Sequence, residues 1–287
     1  MKKEILSILL ISLPLFVSSS PLTLIYHAAD NDLDARKLYE TRVLTLALEK
    51  TKDMYGDYIL IPSKQMTMKR ALYNLKRNKI KNFIVKNSVK DQFLEDFAYS
   101  NFPVDRGILS YRVCFISPKI EKDIANINTL EKIKKLKTAQ GVGWLDTEIL
   151  KYNGFKVKVL ANYDSFFYML TLNRIDLFPR GINELLPEYK AYGYLDKLTY
   201  DKTFALYYPL PRFFFMNKEN EKIVKRIEKG LILAYYDGSL DRLFEKYYQP
   251  SIDFINIKQR KIYKIANPFL EDIDKSYEKY NYKILTK

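Results

Sequence analysis

From Gln140 to Glu184 the chain runs through GVGWLDTEIL, NYDSFFYML and NRIDLFPRGINE, short apolar runs alternating with amphipathic segments. The order reads as strand, glycine turn, helix, strand, helix, strand, and then an Arg-Gly turn into another helix. Strands spaced by helix-length segments pair in parallel, because a parallel neighbour requires a crossover. In such α/β sheets the ligand usually sits at the carboxyl ends of the strands.

The same grammar holds upstream. Leu22 to Tyr26 reads as a strand, and Tyr39, Val43, Leu46 and Ala47 share one face of a helix ending near Gly56. Tyr58 to Ile61 is a strand, Met68, Ala71, Leu72 and Leu75 mark a helix, and Asn82 to Val85 is a third strand. This β-α-β-α-β order predicts a second parallel sheet. Ile108 to Ser117 and the stretch from Thr203 to Met216, broken by Pro209 and Pro211, read as crossings between two bodies. Downstream, Val224, Ile227, Leu231 and Ala234 form one helical stripe. A second helix carries Leu240, Leu243, Phe244 and Tyr247, and a charged tail with a possible strand follows Ile252. The expected fold is a two-lobed α/β type, each lobe a mixed, mostly parallel sheet flanked by helices, with two crossing strands as hinge. The expected division is 1–19 signal peptide, 20–112 with 209–287 as lobe 1, and 113–208 as lobe 2.

The N-terminus carries Lys2 and Lys3, an apolar run from Ile5 to Val17, and Ser18 to Ser20. A basic start, a short apolar core and small residues at its end predict a secretory signal, hence a periplasmic protein. No later run is long enough to cross a bilayer, which takes about 20 apolar residues. With 287 residues and 47% hydrophobic content the chain can fill two cores. Cys114 and His27 are the only residues of their kinds, which leaves no disulfide, no persuasive zinc cluster and no Cys-His nucleophile pair. No cofactor is expected. The net charge is +14, but the lysines are scattered, and the densest run, Lys132 to Lys137, lies beside an apolar helical stripe. Nucleic acid is therefore not an expected partner, and the protein is expected to act as a monomer on a small-molecule solute.

Several side chains stand where such a site would draw on them. Arg180 follows an apolar run and offers a planar fork suited to carboxylate or phosphate, with a salt bridge to Glu184 as the alternative use. Trp144, the only tryptophan, follows a glycine turn and can form either an aromatic wall or core. Asp146 can cap its helix or touch ligand, and Tyr163 stands at the start of the next helix, where Asp164 or Ser165 is the expected cap. Tyr26 and His27 leave the first strand, Arg106 approaches from the first crossing, and Tyr207 and Tyr208 lie at the second. Asp176, in the strand pattern, fits a structural hydrogen bond.

Taken in order, Phe102-Pro103, Gly107 to Val113, Gln140-Gly141, Trp144 with Asp146, Leu170 with Arg174 and Asp176, and Phe178 to Gly181 with Glu184 carry a family likeness. So do Tyr208-Pro209, Ile227 to Leu231, Asp237 to Ser239 and Asn267-Pro268. Over nearly the whole mature chain the sequence resembles the amino-acid-type periplasmic solute-binding proteins of ABC importers, in the type II fold. The resemblance implies capture of a small polar or anionic solute between two lobes, delivery to an inner-membrane ABC permease, and no catalysis. In that family an arginine of the first lobe holds the ligand carboxylate and an acidic residue after the last small-lobe strand holds its amine. Here Asn87 to Phe93 offers only Lys90, and Pro179-Arg180 stands where the acid belongs; an arginine cannot bind an ammonium group. Two rivals remain open, a sensor or protein-interaction module on this scaffold, and a cell-wall-acting enzyme using carboxylates such as Asp146 and Asp164.

Overall fold

The computed structural model describes residues 20–28 and 35–286; the expected signal peptide lies outside them. The first lobe opens with β1 (Leu22–Tyr26), α1 (Ala35–Glu49), α2 (Lys52–Tyr55), β2 (Tyr58–Pro62), α3 (Met68–Lys76), β3 (Phe83–Ser88), α4 (Asp91–Asp96) and β4 (Ala98–Tyr99). The chain then crosses into β5 (Tyr111–Ile116), α5 (Pro118–Glu121), α6 (Leu130–Lys134), β6 (Lys137–Gly141), α7 (Leu145–Tyr152) and β7 (Lys156–Leu160). It continues through α8 (Asp164–Thr171), β8 (Leu177–Gly181), α9 (Ile182–Ala191), β9 (Thr199–Tyr200) and β10 (Phe204–Tyr207). It returns through β11 (Arg212–Met216), α10 (Glu221–Tyr236) and α11 (Ser239–Ile255), and β12 (Lys261–Lys264) precedes the tail.

The first sheet has the order β2-β1-β3-β11-β4 and the second β12-β10-β5-β8-β6-β7, with β9 also on β5. As the crossover spacing predicts, β1 pairs in parallel with β2 and β3, and β6 in parallel with β7 and β8. The returning strands β5, β10 and β11 are antiparallel to their neighbours β8, β5 and β3. The fold is thus the two-lobed mixed α/β type. One part of the tail departs from the expected boundaries: β12 pairs with β10 in the second sheet. Its Ile262 and Tyr263 pair with Ala205 and Leu206 at the edge of that sheet.

Packing explains the elements. In the first lobe α1 and α10 cross so closely that a Cβ on Gly230 would lie 1.9 Å from the Ala47 carbonyl oxygen. Leu24, Val43, Leu48, Ile227 and Leu231 fill the core on that side of the sheet. The other side is closed by α3 and by Leu270, Ile273 and Tyr277 of the tail. The tail is therefore part of the body, not the loose end its charge suggests. Tyr277, Tyr280, Tyr282 and Ile284 are buried, and the Tyr282 amide donates to the Arg106 carbonyl at 2.8 Å.

The two crossings run side by side. The Val104 amide donates to the Arg212 carbonyl (2.9 Å), the Tyr208 amide to the Ser110 carbonyl (3.1 Å), and the Leu210 amide to the Ser110 hydroxyl (3.1 Å). The expected strand from Ile108 begins at Tyr111, because Ile108–Ser110 form a short 3-10 turn after Gly107 in the left-handed region (φ 76°).

Candidate functional site

The lobes touch through side chains that follow the carboxyl ends of their parallel strands. In the first lobe β1 ends at Tyr26 and β3 leads to Lys90; in the second, β6 ends at Gly141 and α7 follows. The Lys90 ammonium reaches the Glu148 carboxylate of α7 at 3.0 Å, an ion pair from one lobe to the other. Lys90 also lies over the Phe269 ring, 5.3 Å from its centroid.

The second-lobe wall is built around Gly141. A Cβ there would sit 2.4 Å from the Trp144 ring, so the indole lies directly against the glycine backbone. Trp144, half-buried, is the residue at the N-terminal end of α7. It stacks toward Phe166 (5.8 Å, 17°), which is itself parallel to Phe178 at 4.2 Å. The indole is thus packed against core rings on one side and is half-buried overall. Asp146 does not cap this helix, although sequence made it a candidate cap. Its carboxylate is 2.7 Å from Arg112 Nη2 and accepts from the Tyr208 hydroxyl at 2.5 Å.

Arg180 lies inside β8, opposite Val113, and not after the strand as its sequence suggests. Ile175 and Asp176 instead form the turn before β8, where Asp176 accepts from the Lys137 amide at 2.8 Å. That is the structural hydrogen bond expected of it. Arg180 is 4% exposed and donates from Nε (2.8 Å) and Nη2 (2.6 Å) to the Glu188 carboxylate. Glu184 stands 3.3 Å from Nη2, and the guanidinium packs over Trp144 (5.1 Å), Phe178 (5.0 Å) and Tyr163 (5.8 Å). Burial works against the charged guanidinium, but Glu184 and Glu188 outweigh it and hold its pKa well above the ordinary value. Burial likewise drives the Tyr163 phenol up, and its hydroxyl donates to Glu188.

Glu184 links two arginines. It accepts from the Gly181 amide at 2.9 Å, closing the first turn of α9, and lies 3.3 Å from Arg112 Nη1. Arg112, buried in β5, also donates from Nε to the Tyr208 hydroxyl at 3.1 Å. Glu188 and Arg112 are the members of this network that the candidate set lacked, whereas Tyr208, expected at the second crossing, joins it through Arg112 and Asp146. Glu188 lies one helical turn beyond Glu184 on α9, a spacing that could have flagged it.

The structure thus brings Arg180, Trp144, Tyr163, Glu184 and Asp146 into one buried network. Three candidates stand apart. Arg106 packs in the first lobe against Tyr235 (5.0 Å), donates to the Tyr280 carbonyl and reaches Asp241 at 2.6 Å. Tyr207 packs on Tyr111 in the hinge, with centroids 4.9 Å apart. Tyr26 is half-buried at the end of β1, opposite Pro62 and Ile84. His27 donates from Nε2–H to the Met66 carbonyl (2.8 Å), because a carbonyl can only accept, and so serves the loop after β2. At the expected helix start of α8 it is Asn162, not Asp164 or Ser165, that accepts the exposed amide, from Ser165 at 3.1 Å. Among the described residues no group of His, Cys, Asp and Glu could hold a metal ion, and no helix is long and apolar enough to cross a membrane.

No protein-family model and no curated protein matches the sequence. Solved structures do match. One is the probable amino-acid ABC transporter extracellular-binding protein ytmK from Bacillus subtilis, at TM-score 0.58 and 14% identity, covering 79% of this chain and 98% of that one. A second is an amino acid ABC transporter substrate-binding protein from Streptococcus pneumoniae bound to L-arginine, at TM-score 0.58 and 13% identity, covering 79% and 94%. A third is an ancestral amino acid-binding protein, a precursor of cyclohexadienyl dehydratase, at TM-score 0.55 and 15% identity, covering 79% and 95%. At these identities the likeness is one of architecture, and the chain has the two-lobed fold of the periplasmic solute-binding proteins.

Proposed function

We propose that this chain is an extracytoplasmic solute-binding protein that closes two lobes around a small polar molecule and serves ABC-type import without chemistry of its own. The observation that carries this reading is the two-lobed architecture with its two side-by-side crossings, in which the segments after the carboxyl ends of β3 and β6 face each other at Lys90 and Glu148, with the half-buried Trp144 at the start of the same helix α7. Ligand touching both walls only when the lobes are together shifts the population toward closure. The expected preference for an anion is not favoured: Arg180 is already neutralised by Glu184 and Glu188 within its own lobe. A polar solute seated on the indole fits better. Among the described residues the acids beside Arg180, Glu184 and Glu188, are both engaged with it, so an ordinary zwitterionic amino acid fits poorly. A thermal-shift screen of the secreted chain against amino acids, short peptides, saccharides and carboxylates tests this. At least one solute raises the midpoint, and Trp144→Ala removes the rise while keeping the fold; no shift from any class defeats the proposal.

A second reading, a sensor or interaction module on the same scaffold, draws support from the Lys90–Glu148 pair, which joins the lobes through their own side chains. Recovery of an inner-membrane sensor partner, with a transporter absent from the same pull-down, favours it over import.

A further inference from the structure

The aromatic wall does not stop at the cleft. From Trp144 the rings continue to Tyr163 (6.3 Å), Tyr192 (6.4 Å) and Tyr194 (6.3 Å), each tilted on the last by 53°, 49° and 34°. The far end is open to solvent: Tyr194 is 69% exposed and Tyr168, whose hydroxyl lies 3.4 Å from that of Tyr194, is 45% exposed. Core packing accounts for Tyr192, which stacks on Phe167 at 3.7 Å, but not for two aromatic rings left in water beside it.

The border of the strip is polar. Exposed Asn162 and Asp164 flank it, with Asp164 accepting from the Tyr192 hydroxyl, and Glu188 lies behind Tyr163. Partly exposed rings that open into solvent at Tyr168 and Tyr194, edged by amide, carboxylate and phenol groups, suit a ligand with apolar faces and a rim of hydroxyls. Pyranose rings have that form, their C–H faces stacking on aromatic rings while their equatorial hydroxyls meet the polar edge. Successive tilts let the strip follow a twisted chain. A nucleic-acid strand would need available cations along this path, whereas Arg180, over Trp144 and Tyr163, is already paired with Glu184 and Glu188, and Asp164 repels phosphate.

We propose that the strip from Trp144 to Tyr194 is an extended subsite for a linear oligosaccharide, whose terminal sugar enters the cleft. This rests on the solute-binding reading above and deepens it.

Trp144 is the only tryptophan, so its fluorescence reports on the cleft end alone. The full secreted chain is titrated with glucose, cellobiose, cellotetraose, chitotetraose and maltotetraose, with amino acids and dipeptides in parallel. The expected result is a saturable change with at least one tetraose, bound more tightly than its shorter members. Tyr194→Ala, at the exposed end, weakens that tetraose about tenfold, the scale of one lost aromatic contact, and leaves the shortest sugar unchanged. A tetraose bound no better than a monosaccharide, or bound equally by Tyr194→Ala, overturns the subsite. If no saccharide acts while an amino acid or dipeptide titrates Trp144, the subsite is wrong and the solute-binding reading stands. Silence from every solute overturns both.

Discussion

Removing Glu188 tests the buried network where the structure is most explicit. Its carboxylate takes two close bonds from Arg180, at 2.8 and 2.6 Å, and the two side chains are 4% and 11% exposed. Deleting one partner of such a pair costs about 3–5 kcal/mol, because it strands a buried charge. Glu184 remains 3.3 Å from the guanidinium, so the loss from Glu188→Ala falls near the low end, about 3 kcal/mol. For a chain of this size that lowers the melting midpoint by roughly 6–10 °C. Urea unfolding followed by far-UV circular dichroism measures it. Replacing both members, Arg180→Met with Glu188→Leu, removes the stranded charge, and the double variant recovers most of the loss. A Glu188→Ala variant within about 0.5 kcal/mol of the parent would refute the argument, since surface-like positions behave that way.

Other expectations follow from close contacts and burial. Gly230→Ala drives a methyl into the Ala47 carbonyl, so α1 and α10 must separate, at about 1–3 kcal/mol or more by the same unfolding assay. Gly141→Ala displaces the indole from its seat, and the emission of Trp144 shifts to the red with little change in circular dichroism. The Cys114 thiol is fully buried and burial pushes its pKa well up, so a thiol reagent leaves the native protein unmodified and reacts only under unfolding conditions. Burial raises the Glu228 carboxyl above its ordinary value, although the Asn101 amide donates to it at 3.2 Å. A raised folded pKa is stability present at low pH and lost as pH rises through it, so Glu228→Gln matches the parent near pH 4 and is the more stable of the two near pH 7, as paired melts at the two pH values would read.

Much of the architecture was legible because crossover spacing leaves a parallel strand few other partners. The helical stripes at Val224 to Ala234 and Leu240 to Tyr247 became α10 and α11 with their apolar faces inward. Local capping and strand frame were less legible. Apolar content alone places a strand at Ile175 to Phe178, whereas Asp176, whose carboxylate accepts from the Lys137 amide, lies in a bend and β8 runs over Leu177–Gly181. That shift carries Arg180 from an exposed turn into a buried strand, where only charged neighbours make it tolerable. Those neighbours, Glu184 and Glu188, both come from α9. Glu184 was visible as an acid near Arg180 and Glu188 lies one turn beyond it, but Arg112 and Tyr208 join the site only through tertiary packing. Arg106 was misplaced for the same reason, since its partners Asp241 and Tyr280 lie more than a hundred residues away in sequence. The tail reads as charged, yet the spacing of Tyr277, Tyr280 and Tyr282 buries three rings against the first lobe.

The cleft itself is tested most directly by hydrogen exchange with and without the solute that raises the melting midpoint. Capture between the lobes protects backbone amides on both walls at once: Val142 to Leu145 after β6, and Val89 with Asp91 to Phe93 after β3. Protection confined to one wall, or to a surface remote from both, would contradict the account.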